Sequence, residues 1–557
     1  MSGAGGPRRG EGAPRAVVIG AGVAGLATAG LLARDGYAVT VLERNAVVGG
    51  RAGSWEASTE AGTWRFDTGP SWYLMPEVFE HFAALMGADL HEHLRLETLD
   101  PAYRVFAEGY DGPLEVRSGR EESAALFESV EPGAGRRLVA YLDSARETYE
   151  MAREHFLSTT FSRVPAATVR AVLPRLPLLV RLLTESLHSR VARTVRDRRL
   201  RQVLGYPAVF LAATPRTAPS MYHLMSHLDL ADGVRYPQGG FAALVEVIAR
   251  LAAEAGAEIR TGVEVTGIET ASGPGGRARV TGVRTATGEL VPADVVVSCA
   301  DLHHTETRLL PEHLQTYGER YWARRQSGPG VVLALLGVRG RLPELTHHNL
   351  FFTADWDANF DAVFGEQPVV PDPASTYVCM PSATDDSVAP AGHENLFVLV
   401  PVSPDAAGGT SVGAGGVDGA GDPAAEEAVD RAIAQISQWA GVPDLAERVV
   451  VRRSIGPADF TADYHAWRGN ALGPAHTLWQ SAFLRGRNVS RHVEGLLYAG
   501  ATTAPGVGLP MCLISAENVV KRLRGDHSAG PLDPTTWLAA GGSEQGADGR
   551  NDSGGGA

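Results

Sequence analysis

The sequence predicts an α/β fold, α+β overall, in which one parallel sheet is assembled from three separated stretches of chain. Three observations lead there. An apolar run, Ala16-Val17-Val18-Ile19, turns at Gly20-Ala21-Gly22-Val23-Ala24-Gly25 into a helical stretch ending near Arg34, and a second apolar run, Ala38 to Leu42, follows. Far along the chain, Ala293 to Asp301 reads as a buried strand that ends in a polar loop. Gly495 to Leu523 then repeats strand, Gly-rich loop and helix. Such alternation builds a parallel sheet of the Rossmann-like type, whereas 306–489 lacks it and reads as a separate mixed sheet.

The first turn has the parts a dinucleotide needs. Gly20 permits a tight exit from the strand, Gly22 lets backbone approach a pyrophosphate, and Gly25 lets the helix pack close to the strand. The helix start offers free N–H groups and a positive dipole end to phosphate. Glu43 lies 18 residues beyond Gly25, at the end of the second strand, where an acid accepts hydrogen bonds from ribose hydroxyls.

Taken in order, Glu77 to Met86 reads as a short amphipathic helix. Arg104-Val105-Phe106 and Leu114-Glu115-Val116 flank Asp111-Gly112-Pro113 as a hairpin. Glu121–Phe127 and Arg136–Phe156 have helical periodicity. Between Arg163 and Arg201 stand ten arginines and two acids, interleaved with Val169, Leu173, Leu176, Val180 and other apolar residues. An Arg-rich segment with a Leu-rich face suits a membrane interface, and Pro174 and Pro177 break it into shorter helices. Tyr236 to Phe241 is a turn opening a helix from Ala242 to Ala255, stopped by Gly256. Strands follow through Val265, Ala278–Thr285 and Leu290–Cys299. Beyond them, Val331–Val338, Ser375–Met380 and Asn395–Val402 are strands of the mixed sheet, Ser403–Glu426 reads as a flexible Gly-rich loop, and Ala428–Trp439 as a helix.

Composition narrows the function. The net charge of −14 argues against general nucleic-acid binding. Lys521 is the single lysine. Cys299, Cys379 and Cys512 fit neither a disulfide framework nor a metal spacing, which points to a reducing compartment. Met1 to Pro14 carries no apolar signal-peptide core, and no apolar run reaches the ~20 residues that span a bilayer. His303-His304 and His347-His348 are tempting metal pairs, yet adjacent side chains diverge in strands and helices, so surface or hydrogen-bonding roles are expected and no metal. Asp301 reads as a helix cap.

Gly49-Gly50-Arg51-Ala52 after the second strand resembles the second fingerprint of the FAD-containing amine oxidase and carotenoid desaturase superfamily. Together with Gly20–Gly25, Asp67-Thr68-Gly69-Pro70-Ser71-Trp72-Tyr73-Leu74-Met75-Pro76, Tyr236–Phe241, Ala300-Asp301 and Gly500–Pro510, the chain resembles the bacterial phytoene desaturase family from about Ala16 to Leu523. The resemblance implies FAD contacts from Gly20, Gly22, Gly25, Glu43 and Arg44, from Gly50 and Arg51, and from Gly69, Pro70, Ser71 and Trp72. It adds Val265 near adenine, then Gly500, Ala501, Gly508, Leu509, Pro510 and Met511 against the flavin. It further implies that hydrogen is removed from neighbouring carbons of an apolar C40 carotene, phytoene to a lycopene-like product, with FAD as acceptor. No catalytic side chain is assigned. Many members carry His before the Pro of the last loop; here Ala504 stands in its place.

The expected division is a disordered tail over 1–14 and FAD segments at 15–100, 236–305 and 490–525. A helical membrane-associating region occupies 101–235, a substrate domain 306–489, and a disordered tail 526–557. The expected location is cytoplasmic, peripheral to the cytoplasmic membrane through 163–201. Oligomeric state stays open. So do a carotenoid ketolase, a retinol-saturase-like enzyme, an amine oxidase and a non-catalytic flavin scaffold as alternatives.

Overall fold

The computed structural model describes residues 12–69, 71–163, 166–273, 276–404, 412–481 and 484–542. Its central sheet is five-stranded and all parallel, in the order Leu496–Tyr498, Val295–Ser298, β1 (Arg15–Ile19), β2 (Ala38–Leu42), Glu258–Arg260. Distant sequences thus meet as neighbours, Ala16 opposite both Val295 and Val39. Both faces of β1 are buried, as parallel strands require. Ala16 and Val18 face a core shared with α1 (Val23–Arg34) and the helices Gly240–Glu254 and Leu509–Arg524. Val17 and Ile19 face Ile268, Val280 and Val283 of a small four-stranded sheet. The expected strand Leu290–Cys299 is divided: Leu290–Pro292 joins the small sheet, and Val295–Ser298 the parallel one. α1 stops where Gly36, at φ +87°, lets Tyr37 N–H donate back to Leu32 O.

The mixed sheet has seven strands, in the order Val449–Ile455, Gly330–Val338, Glu394–Val402, Thr376–Cys379, His348–Phe352, Tyr103–Ala107, Leu114–Val116. Every residue of Gly330–Val338 is buried. One face packs on the helix Pro423–Ala440, the other on Trp64, Phe66 and Phe460. The expected hairpin at 104–116 forms, and its first strand extends the sheet by parallel pairing with His348–Phe352.

Two expectations are corrected. In Ser403–Glu426, residues 405–411 lie outside the described ones, but 412–422 is a packed loop. Val412 is buried, Gly415 N–H donates to Asp459, and a Cβ on Gly415 would overlap Ser454 O. The glycines there serve close packing. The helix begins at Pro423, capped by the Asp422 carboxylate on Ala424 N–H at 3.0 Å. The second correction falls on the C-terminal tail. Residues 526–539 are tied to the fold rather than loose: Leu532 N–H donates to Glu517 at 2.6 Å, and buried Trp537 donates Nε1–H to Leu85 O at 3.0 Å. One buried Trp anchors a stretch whose composition reads as solvated. Residues 1–11 and 543–557 lie outside the described residues.

The basic segment also divides. Pro174 and Pro177 interrupt it as expected, giving Ala166–Val172, a tight turn, and Leu176–Thr184. Val169, Leu173, Leu176 and Val180 are exposed, Leu173 by 64%. From Leu187 on, Leu187, Val191, Leu200 and Leu204 are buried in the core. The arginines there turn to the protein: Arg193 pairs with Glu185, Arg199 with Asp197, and Arg198 bonds Glu108 O. Residues 164 and 165 lie outside the described residues. No helix among the described residues is long and apolar enough to cross a membrane.

Candidate functional site: a glycine-lined cleft at the strand ends

The carboxyl ends of the parallel strands open onto one cleft, the usual ligand position in such sheets. Gly20, at φ +96°, leaves β1 with its N–H on Leu42 O at 2.8 Å. Gly25 lies beneath the turn, where a Cβ would overlap Gly20 O. At Gly22 a Cβ would meet only Gly49 O, at 3.9 Å. The chain's own atoms therefore do not demand glycine at 22, and its bare backbone leaves the cleft open there. Gly22 caps α1 without any side-chain bond, so the first N–H groups of the helix are left for an anion.

Glu43 is buried and also borders the cleft. One carboxylate oxygen accepts from Ala21 N–H at 2.7 Å, the other from Asn45 N–H at 2.8 Å. Arg44 reaches the same wall with Nη1 on Ala462 O at 2.7 Å. Gly50 and Arg51 also line the cleft, with Gly50 packed against Gly22 of the first turn. Nε and Nη2 of Arg51 are buried without a hydrogen-bond partner, a guanidinium waiting for an anion. Gly69 sits behind it: a Cβ there would overlap Arg51 O, so this glycine sets the position of Arg51. Val265, Gly500, Ala501 and Leu509 complete the wall, with Cys512 one helical turn on. Gly508, at φ +118°, precedes the helix whose first residues are Leu509, Pro510 and Met511.

Among the described residues, the expected Ser71 and Trp72 lie away from the cleft wall. Pro70 lies outside the described residues. Ser71 Oγ pairs with Tyr377 OH at 2.6 Å. Trp72 stacks on His348 at 4.4 Å and packs against Tyr103, Tyr206, Phe210 and Tyr377. It belongs to an aromatic cluster rather than the cleft wall. At the cluster's base, Asp229 accepts from Tyr103 OH and Tyr206 OH, both at 2.9 Å. Burial pushes its carboxyl up to about 7 against the opposing pull of the two hydroxyls.

Other residues escaped the sequence reading. Asp463, Tyr464 and His465 border the cleft from a segment without a motif, and His465 stacks on His304 at 3.8 Å. Burial first, then the neighbouring His465 and Arg44, takes the His304 imidazole down to about 3. Asp301 is the expected cap, accepting from His303 N–H at 2.9 Å, and its carboxyl is raised by burial against the Arg51 charge. His347 and His348 are hydrogen-bonded, through Thr384 and Tyr377, but neither is at the surface. Their rings also converge: with Cys379 they bring ligand atoms within 4.8 Å. His347 precedes the strand that starts at His348, so the divergence expected of strand neighbours does not apply.

The cleft offers a side-chain-free turn, an uncapped helix start, an orphaned guanidinium and a buried acid, a set that fits a dinucleotide's pyrophosphate and ribose. Comparison with known proteins agrees. The model of flavin containing amine oxidoreductases matches residues 23–524. A carotenoid 3,4-desaturase of Haloarcula japonica is 39% identical over 506 residues, 91% of this chain and 97% of that protein. A zeta-carotene-forming phytoene desaturase of Myxococcus xanthus is 35% identical, covering 94% and 97%. A phytoene dehydrogenase of Streptomyces griseus is 34% identical, covering 92% and 96%. A redesigned putrescine oxidase shares the fold, with a TM-score of 0.57 at 14% identity over 92% of this chain and 99% of its own. The cofactor is FAD. An uncapped helix, an unpaired Arg51 and the family match over nearly the whole chain lead to one statement: this chain belongs to the flavin containing amine oxidoreductase family.

Proposed function

We propose that the protein is an FAD-dependent carotenoid desaturase that introduces double bonds into an apolar C40 carotene, phytoene first among them. The observation that carries this is the 39% identity to a carotenoid 3,4-desaturase over 91% of the chain. In this reading 15–100, 236–305 and 490–525 hold FAD, while 101–235 and 306–489 shape the carotene site.

Bound FAD supplies the hydride acceptor. The chain's own residues do the rest. The Gly20–Gly25 turn and the start of α1 seat the pyrophosphate, and Arg51 neutralises it. Glu43, already fixed by Ala21 and Asn45, orients the ribose, and Val265 faces the adenine end. Ala501, Leu509 and the turn from Gly508 to Met511 border the flavin end. A hydrocarbon offers no charge to anchor, so apolar walls and exclusion of water select it. The exposed Val169, Leu173, Leu176 and Val180 form a face that dips into a bilayer, where the carotene resides.

Expression in cells that accumulate phytoene tests the reading: coloured polyenes are expected, and unchanged phytoene beside flavin-loaded protein refutes it. A second reading follows from the same relative, in which the substrate is a carotenoid desaturated at its 3,4 bond. Supplying such a carotenoid in place of phytoene separates the two.

A further inference from the structure

Two neighbouring strands of the mixed sheet bring two imidazoles and a thiol together, none of them lining the nucleotide cleft. His348 and Cys379 stand directly opposite each other in the antiparallel pair His348–Phe352 and Thr376–Cys379, so their side chains share one face. His347 enters from just before the strand, its ring edge-to-face with that of His348 at 4.6 Å. All three are buried, and each offers one ligand atom, a ring nitrogen or the Cys379 Sγ, within 4.8 Å of the others. The rings are held in place. His347 Nδ1 lies 2.9 Å from Thr384 Oγ1, His348 Nδ1 lies 2.7 Å from Tyr377 OH, and Trp72 stacks on His348. Nε2 of both rings is buried with no hydrogen-bond partner. Two orphaned nitrogens beside a thiol cost stability unless something takes their lone pairs.

We propose that His347, His348 and Cys379 hold a zinc ion that pins these two strands beside the aromatic cluster of Trp72. The ligand types choose the ion: a thiolate and two imidazoles favour zinc over magnesium or calcium, which take oxygen ligands. Zinc bonds of about 2.0–2.3 Å set tetrahedral neighbours about 3.5 Å apart, a contraction of at most about 1.3 Å from the present spacing. The Zn–S bond forms as the S–H bond breaks, the thiol proton leaves to solvent, and nothing is oxidised or reduced. Three protein ligands leave the fourth position to water. Zinc with one thiolate carries a single net positive charge, and two carboxylates are placed to offset it, Asp385 acting on His347 and Asp67 on Cys379. Both are fixed by one turn: Asp67 accepts from Phe241 and Ala242 N–H at 2.8 and 3.1 Å, and Asp385 from Gly239 N–H at 2.7 Å. Thr384 and Tyr377 supply the arrangement usual for ligating imidazoles, in which the second ring nitrogen is hydrogen-bonded and so orients the first.

The test uses untagged, FAD-loaded protein from cells grown with added zinc. Elemental analysis should find about one zinc per chain in wild type and its loss in both Cys379→Ser and His347→Gln, with the flavin retained. A strong chelator should lower the melting temperature of wild type and leave those of the variants unmoved, because an ion bound only by the folded chain adds to its stability. Protein from cobalt-grown cells gives a readout that needs no variant and decides the matter where the variants fail to fold. Wild type should then show a thiolate-to-cobalt charge-transfer band, with tetrahedral d–d bands at wavelengths beyond the flavin absorption. Wild type that carries no zinc, zinc retained by Cys379→Ser, or cobalt-grown wild type without those bands overturns the proposal. None of these readouts involves a carotene, so they stand apart from the desaturase reading.

Discussion

The Glu43 carboxylate joins two turns: one oxygen accepts from Ala21 N–H at 2.7 Å, the other from Asn45 N–H at 2.8 Å. The acid at the end of β2 thus fixes the glycine turn after β1 before any ligand arrives. In Glu43→Gln one backbone N–H faces an amide N–H₂. A loss of about 1–3 kcal/mol is expected even without flavin. Urea unfolding of the FAD-free protein checks it, and a change only in the holoprotein would limit Glu43 to ribose binding.

Gly22 and Gly25 should fail differently. A Cβ at position 22 meets only Gly49 O, at 3.9 Å, so Gly22→Val should fold and emerge colourless, its side chain standing where the pyrophosphate is proposed to bind. Gly25→Ala would strike Gly20 O and should reduce soluble yield whether or not FAD is supplied. Flavin absorbance and melting curves of the two proteins separate the cases.

Arg51 places a guanidinium in the cleft with two buried nitrogens unpaired. Arg51→Met should raise the melting temperature of FAD-free protein by removing two buried nitrogens that lack hydrogen-bond partners. It should also weaken FAD binding roughly 10- to 100-fold, the worth of one or two charge-assisted bonds. Flavin titration and thermal melts must move in opposite directions; a parallel fall would mean that the guanidinium is satisfied without FAD.

Asp229 gives stability a pH dependence of defined sign. Its carboxyl titrates near about 7 when folded, against the ordinary ~3.9. The folded state keeps a proton that the unfolded chain has lost, so stability falls as pH rises from about 4 to 7 and levels beyond. Asp67, raised by burial to about 6, adds in the same direction. Asp229→Asn still accepts from both tyrosines and should gain stability relative to wild type between pH 5 and 8. Equal urea midpoints for the two proteins at pH 8 would refute this.

For membrane contact the informative residues are apolar. Leu173→Glu with Leu176→Glu should reduce co-sedimentation with vesicles without altering the melt, because both side chains are exposed. Charge reversal at Arg193, Arg198 and Arg199 should instead lower stability, since those groups pair inward.

Residues acting through local backbone geometry were legible in the sequence. Gly20, Gly22, Gly25, Gly50 and Glu43 work through chain turns and strand ends, and spacing records both. Trp72 was not legible as placed, because its position depends on Tyr103, Tyr206, Phe210 and His348 from three other segments. His465 carries no local signature: it meets the site only through long-range contacts, with His304, Arg44 and Glu264. The Gly-rich loop at 412–422 misled for the opposite reason, since glycine chosen for close packing has the same composition as glycine chosen for freedom.

Lys521 is fully buried, its ammonium donating to the carbonyls of Ser158, Ser528 and Gly530 at 2.7, 2.9 and 2.6 Å. As the single lysine of the chain, it leaves the folded surface without an ε-amine. Reagents that acylate, biotinylate or cross-link lysines therefore find no such target on the native protein, and any mark on Lys521 records that the chain opened.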